Sequence, residues 1–241
     1  MSDPTRTSQS TRHATDPAAA AARTPAAAVA PTIRRPRAAA FRALLAAAAL
    51  TGLLLAALGS PAPAHLLTRF TVQANLAVAL VSACSAHRAW TGRRPVSPRI
   101  TGALLPFLAL PALAHYALPA DTTAFTLPEA GASTAAQAIA PQLLYVLTPL
   151  AALADWLLLT GPRGFRLSCA WQWPAYPLLH LAFALVFPAA AGAPPPTVAS
   201  ALTLALAICL LPLITIGIDQ VRPAPRLHNN RISPQGIGPL K

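Results

Sequence analysis

The sequence predicts an all-α integral membrane protein, a bundle of six transmembrane helices behind a disordered N-terminal tail. Three observations carry that class. Of 241 residues, 55% are hydrophobic and only 10% are charged, whereas a soluble domain usually carries about a quarter charged residues. Six apolar runs lie near 40–59, 70–87, 100–118, 138–159, 168–189 and 197–218. A helix rising about 1.5 Å per residue needs roughly 20 residues to cross a hydrocarbon core of about 30 Å. Strands of a membrane barrel would be about half as long and would alternate in polarity. Third, the basic residues fall between the apolar runs in a one-sided pattern.

In chain order, residues 1–37 are rich in Ala, Pro, Thr, Ser and Arg, without apolar periodicity. They predict a disordered cytoplasmic tail rather than a cleaved signal peptide. The six runs then form a membrane domain over 38–220, and a short basic cytoplasmic tail follows over 221–241. Arg6, Arg12, Arg23, Arg34, Arg35, Arg37 and Arg42 precede or open the first run; Arg88, Arg93, Arg94 and Arg99 follow the second. Arg163 and Arg166 follow the fourth, and Arg222, Arg226, Arg231 and Lys241 follow the sixth. Every one of the 18 basic residues except Arg69 thus falls on one side. The rule that basic loops stay inside places both termini in the cytoplasm of a multi-pass protein. The opposite loops, near 119–137 and 190–196, carry only the acids Asp121 and Glu129. Trp90, Trp156, Trp171 and Trp173 lie near the predicted inner boundary, where amphipathic rings prefer to sit.

The same pattern excludes other classes. A net charge of +12 would suit a nucleic-acid partner only as a patch on a folded surface, and here the charges are interleaved with apolar runs. Cys84, Cys169 and Cys209 have no metal-ligand spacing and read as small packing residues in helices. His115 and His180 are single residues on separate runs, so neither a metal site nor a cofactor is expected.

Prolines interrupt several runs: Pro106 and Pro111, Pro149, Pro174 and Pro177, and Pro212. Each removes a backbone donor and predicts a helix kink; Pro149 frees the carbonyl of Tyr145. The acids are few. Asp155 should lie near the inner boundary, reaching water or Arg163, and Asp219 should be interfacial.

The topology assigns depth to the polar side chains. Thr71, Gln73 and Asn75 open the second run from outside, His115 ends the third there, and Gln142 and Tyr145 open the fourth. His180 on the fifth falls at or above the middle. Thr71 and Asn75 are four apart and share a helical face, while Cys169, Gln172, Tyr176 and His180 form a stripe. Polar groups facing lipid are costly, so these faces should turn inward. The expectation is a polar outer-leaflet pocket built from Thr71, Asn75, His115, Gln142, Tyr145, Tyr176 and His180. Its partners would be membrane lipids and an apolar or lipid ligand.

Four stretches, "RFTVQANLAVAL", "PALAHYALP", "QLLYVLTPLAALADWLLLTGPRG" and "WPAYPLLHLAFAL", come in an order and spacing that resemble the Pr-six-Pr family of bacterial six-span membrane proteins. The resemblance covers about residues 40 to 220 and implies a cell (inner) membrane location. The family has no established activity, and is distantly similar to the androgen-induced-gene type of membrane hydrolases. Those cleave fatty-acid esters of hydroxy fatty acids with an intramembrane threonine nucleophile and a histidine. By that likeness the threonine would be Thr71. The histidine would fall in "QLLYVLTP", where related sequences read "QLLH" and this chain has Tyr145. A threonine nucleophile needs a base beside it, and tyrosine is a poor base near neutral pH. His115 or His180 would have to serve.

The sequence therefore supports an integral membrane protein of unassigned activity with a polar outer-leaflet pocket. Two alternatives stand beside that reading: an intramembrane lipid-ester hydrolase with catalytic Thr71, His115 and His180, and a bundle that binds or transports a small ligand or lipid. A transporter would more often show ionisable groups at the midplane and helix breaks in matched halves, and no matched halves are visible.

Overall fold

A computed structural model describes residues 34–118, 121–128, 135–191 and 194–223. The expected tails over 1–37 and 221–241 lie almost wholly outside these residues, and so does Glu129. The described residues are helical, with no strand among them. Six long helices occupy the six apolar runs: α1 (Pro36–Leu58), α2 (Phe70–Thr91), α3 (Pro98–Tyr116), α4 (135–159), α5 (Cys169–Val186) and α6 (Val198–Val221). Four stretches, Pro36–Leu58, Phe70–Thr91, Gln137–Leu159 and Val198–Val221, are long and apolar enough to cross a membrane. The other two, α3 and α5, are 19 and 18 residues long. Their prolines, histidines, tryptophans and glutamine dilute the hydropathy that the runs otherwise share.

Proline and glycine set several of the helix ends. Pro36 and Pro98 stand in the first turns of α1 and α3, where a missing N–H costs nothing. Helix α2 stops at Gly92, which adopts a left-handed conformation (φ 71°) and donates its N–H to the Arg88 carbonyl. Small residues bring the helices close. Ala38, Ala39, Ala46, Ala49 and Gly52 line the buried side of α1, which packs mainly on α2 and α4. Helix α3 touches α2, α4, α5 and α6. A Cβ on Gly102 would lie 2.5 Å from Cε1 of Phe165, so a side chain there would force the Phe165 and Trp173 rings to shift. The opposite faces are apolar and outward: Leu44, Leu54 and Leu58 are 70%, 59% and 72% exposed, and Leu202 and Leu206 on α6 behave alike. Such continuous apolar surface is compatible with a membrane setting.

Helix α4 departs from simple kinking. It widens twice into π-turns, over Gln142–Leu147 and Asp155–Leu159. The first directly precedes the turn that holds Pro149. A π-turn shifts the hydrogen-bond register by one residue, and threonines take up the displaced carbonyls. Thr148 donates to the Leu143 carbonyl at 2.8 Å and Thr160 to that of Asp155 at 3.3 Å.

The structure corrects the expected partner of Asp155 and adds detail to the other groups placed near the inner boundary. Asp155 pairs with Arg42 of α1, Nε to Oδ1 at 2.8 Å, rather than with Arg163. Asp219 is 1% exposed, because Oδ2 accepts the Phe165 N–H and Oδ1 pairs with Arg222. Trp156 and Trp173 are buried against Phe165, stacked at 5.8 Å and edge-on at 5.2 Å, while Trp90 and Trp171 are exposed. Cys169 is in the core; Cys84 and Cys209 face outward.

Candidate functional site

The polar start of α2 meets a buried loop. Between α3 and α4 the chain runs over 121–128 with a single 3₁₀ turn at Thr123–Phe125. Thr122, Ala124 and Phe125 in it are almost fully buried. A buried loop carries backbone donors and acceptors that its own fold does not pair. Here helix side chains pair them. Thr71 Oγ1 donates to the Phe125 carbonyl at 2.6 Å. Arg69 Nη1 donates to the Thr123 carbonyl at 2.5 Å. His180 Nε2 lies 3.4 Å from the Ala124 carbonyl. The Leu127 N–H donates to the Tyr145 hydroxyl at 2.5 Å. The loop is thus clamped by α2, α4 and α5.

Asp121 fastens the same loop to α6. Its carboxylate accepts the Ser200 hydroxyl at 2.6 Å and the Thr197 N–H at 2.8 Å. The Ser200 hydroxyl, then the Thr197 N–H, hold its pKa below the ordinary aspartate value.

Around Thr71 the remaining polar groups divide into two sides. On one side, the Tyr145 hydroxyl holds the loop at Leu127, two residues beyond the carbonyl that Thr71 binds, and His115 stacks on the Tyr145 ring at 4.4 Å and 15°. On the other, His180 packs against Phe70 and Phe125, with ring centroids 5.3 and 5.1 Å apart. Tyr176 is 43% exposed and donates to Gln73 Oε1 at 2.6 Å. Asn75 is fully buried and donates through Nδ2 to the Thr71 carbonyl at 2.9 Å. Its Oδ1 accepts nothing from the protein. Thr71, Tyr145 and His180 thus bind the same loop, Asn75 binds the Thr71 carbonyl, His115 stacks on Tyr145, and Tyr176 lies beside Phe70 and Gln73. The stripe expected on α5 does not face one environment. Cys169 and His180 are buried but Gln172 and Tyr176 are exposed, because the buried face centres on Trp173, Pro177, Leu181 and Ala184.

A cavity of about 850 Å³ opens beside this cluster, between the end of α1, the 60–66 connection and the start of α4. Leu55, Ala56, Leu66, Ala138 and Ala140 supply apolar wall; Arg69, His115, Gln142 and Tyr145 supply polar groups. Thr71 is 0% exposed and is not among the lining residues. His65 and Gln137 also line the cavity, and the sequence reading missed both, together with Arg69 and the loop backbone. Arg69 carried a usable signal, as the lone basic residue on its side of the chain. The loop had none, since TTAFTL shows no motif. Among the described residues no group of three His, Cys, Asp or Glu could hold a metal ion. The chain matches no family model, no curated protein and no solved structure.

Proposed function

We propose that this chain is a six-span inner-membrane protein of the Pr-six-Pr type, with both termini cytoplasmic, whose outer-leaflet cavity binds an amphiphilic lipid or apolar ligand. The observation that carries the reading is the cavity. Its volume of about 850 Å³ falls in the range of ligand sites, roughly 300–1,000 Å³. Its apolar walls suit a hydrocarbon chain, while Arg69, His115, Gln142 and Tyr145 suit a polar head. The separation of basic from acidic loops supports the orientation, and the order of the four sequence stretches supports the family.

The test is lipid analysis of the protein purified in mild detergent, beside an Ala138→Trp variant that fills the cavity. The expected outcome is a co-purifying amphiphile in the unmodified protein that Ala138→Trp loses while keeping its thermal stability. Equal lipid content in both proteins would overturn the reading.

The adjacency of Thr71, Tyr145 and His115 favours one second reading, a lipid-ester hydrolase scaffold. Against turnover in this chain stands the Thr71 hydroxyl, sealed from the cavity and donating to a backbone carbonyl, which is no proton acceptor for a nucleophile. Tyr145→His would place an imidazole beside Thr71. Ester hydrolysis appearing in that variant, and lost again on adding Thr71→Ala, would establish the scaffold. Thr71-dependent hydrolysis by the unmodified protein would show a working enzyme.

A further inference from the structure

A second, much smaller chamber, with polar groups set among aliphatic side chains, lies near the opposite end of the bundle and plays no part in the proposed ligand site. Its walls include Arg42 of α1, Ser82 and Ser85 of α2, Thr101 of α3, and Asp155 and Trp156 of α4. The chamber measures about 30 Å³, far too small for a lipid or metabolite. Ser85 and Trp156 are each 5% exposed. Yet Ser85 Oγ and Trp156 Nε1 have no hydrogen-bond partner in the protein. A buried donor left unpaired is costly, so two such atoms on residues that line one chamber require an explanation. The second π-turn of α4, Asp155–Leu159, carries both Asp155 and Trp156 to the chamber wall.

We propose that this chamber is a water-binding site, in which one or two molecules accept the Trp156 N–H, pair with Ser85 and solvate the Arg42–Asp155 ion pair. Size fits: a site needs roughly 10–15 Å³ of this kind of space for each molecule, with two to four polar partners. Charge fits as well. Arg42 and Asp155 offset each other at 2.8 Å, so the chamber favours neither a cation nor an anion. The indole N–H, a donor only, rejects a cation outright. Depth fits too. Arg42 lies six residues into α1, about 9 Å from its start, and the pair keeps side-chain exposures of 16% and 17%. Water there lets an ion pair sit inside the bundle without the full penalty of dry burial.

The protein contains its own control. Trp173 is as buried as Trp156, at 4%, and packs on the same Phe165, but its Nε1 donates to the Arg99 carbonyl at 3.0 Å. Radiolytic hydroxyl-radical labelling of the full chain in lipid nanodiscs, read by mass spectrometry, oxidises buried rings only where bound water lies against them. The expected result is oxidation of Trp156 several-fold faster than Trp173. Ser85→Val, which fills the chamber, should bring Trp156 down to the Trp173 rate, and Ser85→Ala should lower it partway. Equal protection of Trp156 and Trp173 in the unmodified protein would overturn the proposal, whatever the variants do. An unchanged Trp156 rate in a folded Ser85→Val protein would overturn it as well, since the label would then come from elsewhere.

Discussion

Thr71 stands where α2 meets the buried loop, and its hydroxyl has one visible task there. Replacing it with alanine leaves the Phe125 carbonyl without its 2.6 Å donor. A buried acceptor left unsatisfied costs about 1–3 kcal/mol, so Thr71→Ala should lose that much in denaturant unfolding in detergent. A loss near zero would mean that water replaces the hydroxyl and the loop is loosely held. Asp121 gives a pH signature at the same loop. Its carboxyl is held below the ordinary aspartate range by the Ser200 hydroxyl and then the Thr197 N–H. A folded pKa below the unfolded one means that the stabilisation is fully present above the unfolded value, about 3.9. It is lost as pH falls through the lower folded pKa. Melting temperature measured between pH 6 and pH 3 should therefore fall at the acid end. Asp121→Asn should start lower and show a flatter acid limb; parallel curves would assign the acid loss to other groups.

At the scale of helices, glycine marks where two elements touch and where they do not. On α3, a Cβ at Gly102 would sit 2.5 Å from Phe165 and 2.7 Å from Trp173. On α6, a Cβ at Gly217 would meet nothing within 4 Å. One substitution should thus have opposite signs at the two sites. Gly102→Ala should destabilise by about 1–3 kcal/mol through overpacking. Gly217→Ala should be neutral or stabilising by up to about 1 kcal/mol, since alanine is the better helix former. Thermal unfolding of both variants beside the parent checks the pair; equal effects would mean that α3 shifts freely against the Phe165 cluster. The π-turns of α4 belong to this scale too. They rotate the helix so that Tyr145 serves the loop and Trp156 serves the far chamber, which a regular 3.6-residue turn would aim elsewhere.

For the whole molecule, the placement of basic residues predicts that a reporter fused after Lys241 reads as cytoplasmic, and one fused to a chain truncated after Asp121 reads as external. Both on the same side would end the six-span arrangement. The helices themselves were legible because apolar runs of near-membrane length leave the backbone few alternatives, and each observed helix starts and stops within four residues of its run. Thr71 and Asn75 were legible as one face from their four-residue spacing, and as inward from the cost of turning polar groups to lipid. What stayed hidden depended on contacts between distant segments. Nothing in residues 121–128 announces a buried loop, and nothing in Arg42 or Asp155 names its partner 113 positions away. The α5 stripe misled because steps of three and four follow a face without saying which face the neighbours cover.

The clamp on residues 121–128 has a consequence for the order in which the chain is assembled during synthesis. Arg69 and Thr71 leave the ribosome before the loop does, but Tyr145, His180 and Ser200 leave after it. The loop therefore emerges with only part of its final set of partners, and its outermost anchor, Asp121 to Ser200, waits until α6 has begun to appear. The loop can reach its settled form only after Ser200 has been made. Helix α6 then completes a structure whose first half was made more than a hundred residues earlier.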